Sequence, residues 1–155
     1  MTIRRRAAVI GAVAVGLATL AACDKPTPLA YITSGTDSVH AEAQCYDDGD
    51  QISLGRVRQC LNAKPKKTIT VHLGERIRFG VDPTIAKEGW SLGIEGQQIN
   101  DPTKDTYHSY PVDGFFQADQ TTGQRAKSVN VSIIENSLKK KEYYGVWNYK
   151  VKLAD

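Results

Sequence analysis

Between Thr68 and Leu153 apolar residues keep returning at every second position, and that period decides what the chain can fold into. Ile69, Val71 and Leu73 alternate with Thr68, Thr70 and His72, and Ile77, Phe79 and Val81 alternate with Arg76, Arg78 and Gly80. Successive strand side chains point to opposite faces, so each run predicts a half-buried strand, where an amphipathic helix needs spacings of three and four. Trp90, Leu92 and Ile94 predict another strand, ending in a turn near Gly96; Val39, Ala41, Ala43 and Cys45 share a face opposite His40, Glu42 and Gln44. Two shorter aromatic strands are predicted at 107–112 and 115–118, divided by Asp113-Gly114. The end of the chain is the clearest. Val129, Val131 and Ile133 predict one strand, Trp147, Tyr149, Val151 and Leu153 its partner, with a polar hairpin loop at 136–142 between them. The final strand is expected inside the sheet, since loose tails lack such patterning.

Helix is scarce. One turn is predicted at 83–88, with Asp82 as cap and Pro83 in the first helical position, and another around 54–58. Short strands separated by turn residues predict a single all-β antiparallel sandwich over 30–155. The order of strands, turns and the Trp90 strand resembles the immunoglobulin-like and cupredoxin-like sandwiches of exported proteins, a likeness of fold that carries no function.

The front of the chain obeys different rules. Arg4-Arg5-Arg6 precedes an uncharged run from Ala7 to Leu20, and small residues follow, which predicts a signal peptide over 1–22. The run falls short of the ~20 residues that span a hydrocarbon core. Its end, Leu20-Ala21-Ala22-Cys23, resembles the lipobox of bacterial lipoprotein precursors. That resemblance implies a diacylglyceryl group on the Cys23 thiol, cleavage between Ala22 and Cys23, and a protein held by lipid to the extracytoplasmic face of the cell membrane. Two acyl chains anchor stably where one does not. Residues 23–29 then form a lipidated tether, extended by Pro26 and Pro28. The stretches LAACDKPTPLA, RFGVDPTIAKEGW and GVWNYKVKL resemble a group of actinobacterial lipoproteins of uncharacterised function, which implies a surface lipoprotein and supplies no catalytic residue.

The chain has three cysteines. With Cys23 acylated, Cys45 and Cys60 remain as an even pair outside the cytoplasm and are expected to form a disulfide. It closes a loop of about 15 residues, for which chain entropy predicts ~3 kcal/mol. No Cys-x-x-Cys spacing suggests a redox role.

Charge removes one class of function. The formal charge of +3 is carried by Arg4, Arg5 and Arg6, so the mature domain is near neutral and lacks the basic footprint of a nucleic-acid binder. Lys139-Lys140-Lys141 reads as a solvated loop tip, with anionic lipid or wall polymer as the functional alternative.

No reactive constellation is assembled in the sequence. A copper site of the blue type needs two His, a Cys and an axial Met; His40, His72 and His108 are scattered and the only Met is Met1. Asp47, Asp48 and Asp50 suggest a calcium loop, but Arg58 stands where a bidentate Glu belongs, so a polar turn at Gly49 is expected. There is no nucleophile elbow and no phosphate-cradling loop. No catalytic residue, metal ligand or cofactor is therefore assigned. Tyr107, Tyr110, Phe115 and Phe116 form a binding patch if they face solvent, and otherwise fill the ends of the core. The expectation is a non-catalytic binding module of the cell envelope, with an envelope protein or wall component as partner. A copper-type cupredoxin-like lipoprotein and a wall hydrolase with two facing carboxylates are the rivals.

Overall fold

The period-two runs become two facing sheets. The computed structural model describes residues 27–137 and 139–154; the leader, Cys23 and most of the tether lie outside the described residues. In chain order the elements are β1 (Ala30–Ser34), β2 (Asp37–Ala41), β3 (Cys45–Tyr46), α1 (Leu54–Leu61), β4 (Lys67–Val71), β5 (Arg76–Val81), α2 (Pro83–Glu88), β6 (Trp90–Ile94), β7 (Gln97–Gln98), β8 (Tyr107–Pro111), β9 (Ser128–Asn136) and β10 (Tyr143–Leu153). The first sheet has the order β2-β1-β5-β8, the second β3-β10-β9-β6-β7, and β4 also lies along β10. The fold is an all-β sandwich. Its pairings are antiparallel except for β4 on β10, which run parallel with Lys67 opposite Tyr149 and Val71 opposite Leu153.

Three local expectations are corrected, and one strand is added. The run from Val39 to Cys45 is not one strand: β2 ends at Ala41 in the first sheet and β3 belongs to the second, with 42–44 crossing between them and Gln44 N–H donating to Val146 O at 2.6 Å. Residues 115–118 form no strand, because Val112 to Gly114 make a 3-10 turn that folds Phe115 and Phe116 inward. Asp82 does not cap α2 with its side chain; its carboxylate instead accepts the Leu29 N–H at 2.8 Å and the Tyr31 hydroxyl at 3.2 Å. Finally, β1 is present and sits between β2 and β5, its inward Ala30, Ile32 and Ser34 being too mixed in polarity to announce a strand.

The core lies between the sheets, where Ile32, Phe79, Trp90, Leu92, Ile133, Trp147 and Tyr149 are fully buried. Aromatic groups with a polar tip need a partner when buried, and each finds one. Trp147 Nε1–H donates to Pro28 O at 2.9 Å, the Tyr149 hydroxyl to Ala30 O at 2.6 Å, and Trp90 Nε1–H to Asp105 O at 2.6 Å. Pro28 is itself buried, so the last residues of the predicted tether are already docked.

A second, smaller core sits on the outer face of the β9–β10 pair. Ile52, Val57, Cys60 and Val146 pack there under α1, with Tyr143 and Leu61 at the edge. Ser53 starts the helix by accepting the Arg56 N–H at 3.3 Å. At its other end Asn148 Nδ2–H donates to Cys60 O at 2.6 Å and to Ala63 O at 3.1 Å, meeting carbonyls that a helix C-terminus leaves without partners. A Cys45–Cys60 disulfide joins β3 to the same helix.

One polar group keeps core parity without a partner. Glu135 follows Val131 and Ile133 to the inner face of β9, is 3% exposed, and its Oε2 makes no hydrogen bond. It lies across from Gly145, where a Cβ would come within 2.5 Å of the Trp147 ring and 3.2 Å of that oxygen. Glycine at 145 leaves room for both. Burial first, then the charge of Glu88, pushes the Glu135 carboxyl up to about 8.

Two outcomes follow from this architecture. Replacing both Cys45 and Cys60 with Ser should lower unfolding free energy by ~2–4 kcal/mol in urea titrations. Native-state amide exchange should then quicken at Val57 and Leu61 before it changes in β9. For Glu135 the folded state holds a proton that the unfolded chain releases above its ordinary carboxylate pKa of 4.5, so stability is fullest in acid. It should fall by up to ~1.4 kcal/mol per pH unit as pH rises toward 8 and level off above. Glu135→Gln should flatten that decline in thermal melts taken across the range.

Candidate functional site

The outer face of the second sheet carries a groove assembled from three elements distant in sequence. Its floor is the outward side of β9, where Asn130, Ile134 and Asn136 share parity. One wall is α1. The other is the β6–β7 hairpin, whose two-residue turn has Glu95 at φ +47 and Gly96 at φ +79, the primed geometry that matches strand twist.

Three hollows make up this groove. A cavity of about 500 Å³ is bordered by Leu61, Lys64, Thr68, Glu95, Asn130 and Lys150. The next, about 210 Å³, shares Leu61 and Gly96 with it and adds Leu54, Gln98, Ile134 and Tyr143. A third, about 300 Å³, shares Gln98 and Tyr143 with the second and reaches Asp101, Asn136 and Lys141. The shared residues make the hollows neighbours in one row. The six steps along β9 from Asn130 to Asn136 correspond to roughly 20 Å of floor.

Its chemistry is mixed. Leu54, 57% exposed, stands on the α1 wall, and Ile99, 48% exposed, lies just past the hairpin. Glu95 is tied down: its carboxylate accepts the Asn130 N–H at 2.7 Å and the Asn130 side-chain amide at 3.2 Å. Asn136 Oδ1 accepts the Ser91 hydroxyl at 3.2 Å, and its amide donates to Gln98 Oε1 at 3.3 Å. The hairpin wall is thus stapled to the floor by Asn130 and Asn136, and Lys64 and Lys150 bring positive charge to one end.

The aromatic patch expected from sequence is divided by burial. Phe116 is 1% exposed and belongs to the core, so it leaves the patch; its peptide oxygen accepts from the Arg125 guanidinium. Tyr110 and Phe115 are half-buried and pack on Phe79, with ring centroids 6.0 and 5.8 Å away, closing the open edge of the sandwich beside β8. Burial pushes the Tyr110 hydroxyl pKa up. Only Tyr107, 52% exposed, presents its ring to solvent. These four residues do not form one surface.

The histidines sit on separate elements. His40 lies on β2 beside Tyr31, His72 follows β4, and His108 stacks on Tyr110 with its Nε2 3.1 Å from Asp105. Among the described residues no three His, Cys, Asp or Glu side chains are grouped to hold a metal ion. The Asp47–Asp50 segment is a turn, with Asp50 N–H on Asp47 O at 2.6 Å and Asp48 and Gly49 both at positive φ. Asp47 faces Arg56 at 3.4 Å.

Sequence spacing could not reveal the groove, because α1, the 95–96 turn and β9 meet only after folding. One signal was present: Ile133-Ile134 breaks the alternation and marks a strand covered on both faces. Among the described residues no helix is long and apolar enough to cross a membrane. Compared with protein-family models, curated proteins and solved structures, the chain matches none.

Proposed function

We propose that this is a lipid-anchored, extracytoplasmic binding protein whose groove on the second sheet takes up an extended polar polymer of the cell envelope. The observation that carries the reading is the row of three adjoining hollows from Lys150 to Lys141, walled by elements pinned to its floor. A pre-formed channel does not spend binding energy on ordering its own loops. The groove's carboxylates are Glu95, already engaged by Asn130, and Asp101 at the far end, an arrangement that supports retention of a ligand over its cleavage. The extracytoplasmic address is supported by the lipobox resemblance at Cys23 and fits the Cys45–Cys60 disulfide, which persists in oxidising compartments.

The address and the groove are tested separately. Cells expressing the chain should incorporate radiolabelled palmitate into it, and Cys23→Ala should abolish the label; equal labelling removes the anchor. For the groove, the surface changes Leu54→Glu and Lys150→Glu together should weaken binding to solubilised wall fragments by about tenfold or more, ~1.4 kcal/mol, with the melting temperature held. Arg78→Glu on the opposite sheet should leave binding unchanged. Equal affinity of all three proteins removes the groove from the reading, and retention of membrane proteins in place of wall fragments reassigns the ligand to a protein segment.

A further inference from the structure

The end of the sandwich at which the chain enters also carries its exposed lysine cluster. Pro28 O takes the Trp147 indole N–H and Ala30 O the Tyr149 hydroxyl, so 28 to 30 runs alongside 147 to 149. Followed backwards, both segments lead to the end where β9 turns into β10. The β9–β10 loop there carries Lys139, Lys140 and Lys141, all exposed. On the β4 side, Lys66 and Lys67 border the same hollow as Leu29, together with Glu42, but Lys67 stands opposite Tyr149, beside Lys150 and well back from that loop. Among the described residues, only Lys140 of these five has a carboxylate within ion-pairing distance, Glu142 at 3.8 Å.

Chain length makes the location matter. Four residues, Asp24 to Thr27, separate Cys23 from Pro28. Fully extended, the steps from Cys23 to Pro28 reach no more than ~18 Å. That is about two Debye lengths at physiological ionic strength, and any slack in the tether brings the domain closer. Whatever else the domain does, this end faces the headgroups. Lysines near an anionic leaflet are attracted to it, and the attraction decays within a Debye length.

We propose that Lys139 and Lys140 on the β9–β10 loop dock against anionic phospholipid headgroups and set the domain's orientation on the membrane. The proposal rests on the anchor reading of Cys23. It also accounts for a lysine run at that loop in a domain whose charge is otherwise near neutral. Docked in this way, the groove opens away from the bilayer, with Lys141 and Tyr143 at its membrane end and Lys64 and Lys150 at its outer end.

The test uses the full chain purified from membranes and reconstituted in vesicles of phosphatidylcholine, alone or mixed with phosphatidylglycerol. Lysine acetylation rates are read by mass spectrometry. Lys139, Lys140 and Lys141 should react several-fold more slowly on the anionic vesicles at low salt and recover at high salt. Lys127 and Lys152, at the other end of the sandwich, should react alike on both. Lys139→Glu with Lys140→Glu, both on an exposed loop, should restore fast acetylation at Lys141. Equal rates on the two vesicle types, with Cys23 lipidated, overturn this proposal and leave the anchor standing. A Cys23 peptide of unmodified mass in the same spectrum overturns the anchor reading and this one with it. Equal slowing by soluble polyphosphate in place of the anionic vesicles overturns lipid docking in favour of a wall polyanion.

Discussion

A strand covered on both faces and paired on its edges has no solvent to satisfy its polar groups, and from Tyr144 to Tyr149 β10 is that strand. Along one edge it bonds β9 for nearly its whole length; along the other it is shared, with β3 at Gly145 and Val146 and β4 from Tyr149 to Leu153. Its inward Trp147 and Tyr149 send their polar tips across the sandwich to the peptide oxygens of Pro28 and Ala30. Its outward Val146 and Asn148 hold α1, one by contact and one by hydrogen bonds to Cys60 and Ala63. The chain entry, both cores and one wall of the groove thus depend on four adjacent side chains. Burying a polar tip without a partner costs on the order of 1–3 kcal/mol, so the partners of these side chains are as constrained as the side chains themselves.

What could be read from the sequence follows from the same logic. Strands with one apolar and one polar face, such as β4 and β5, declare themselves by period two. The period gives the face and not the partner: β4 and β5 are separated only by the turn at Gly74, yet belong to different sheets. The Val39–Cys45 run fails for a related reason, since apolar alternation continues across a crossing between sheets. Helix α1 was visible at its start and longer than expected at its end, where Asn148, far away in sequence, supplies the missing bonds. The disulfide was readable from parity once Cys23 is set aside for the lipobox resemblance. Nothing in residue spacing distinguishes a Phe115 that seals the sandwich edge from a Phe116 that fills its core, because a tight turn at 112–114 sets their directions.

The groove and the disulfide belong to one argument. Helix α1 has eight residues, well below the ~12–15 at which an isolated helix becomes marginal in water, and its own hydrophobic cluster is small. It holds its place because a covalent bond ties Cys60 to Cys45, and Asn148 receives its last carbonyls. Two of the groove's boundary residues, Leu54 and Leu61, stand at the two ends of that helix. A wall fixed from outside its own sequence can be rigid without a large core behind it, which a domain of this size has little material to build. The same device makes the groove sensitive to thiol chemistry, so a binding surface of this construction suits a compartment in which disulfides persist. The buried Glu135 fits the picture from the other side: the sandwich end tolerates a carboxyl there because it stays protonated, and Gly145 opposite it supplies the space.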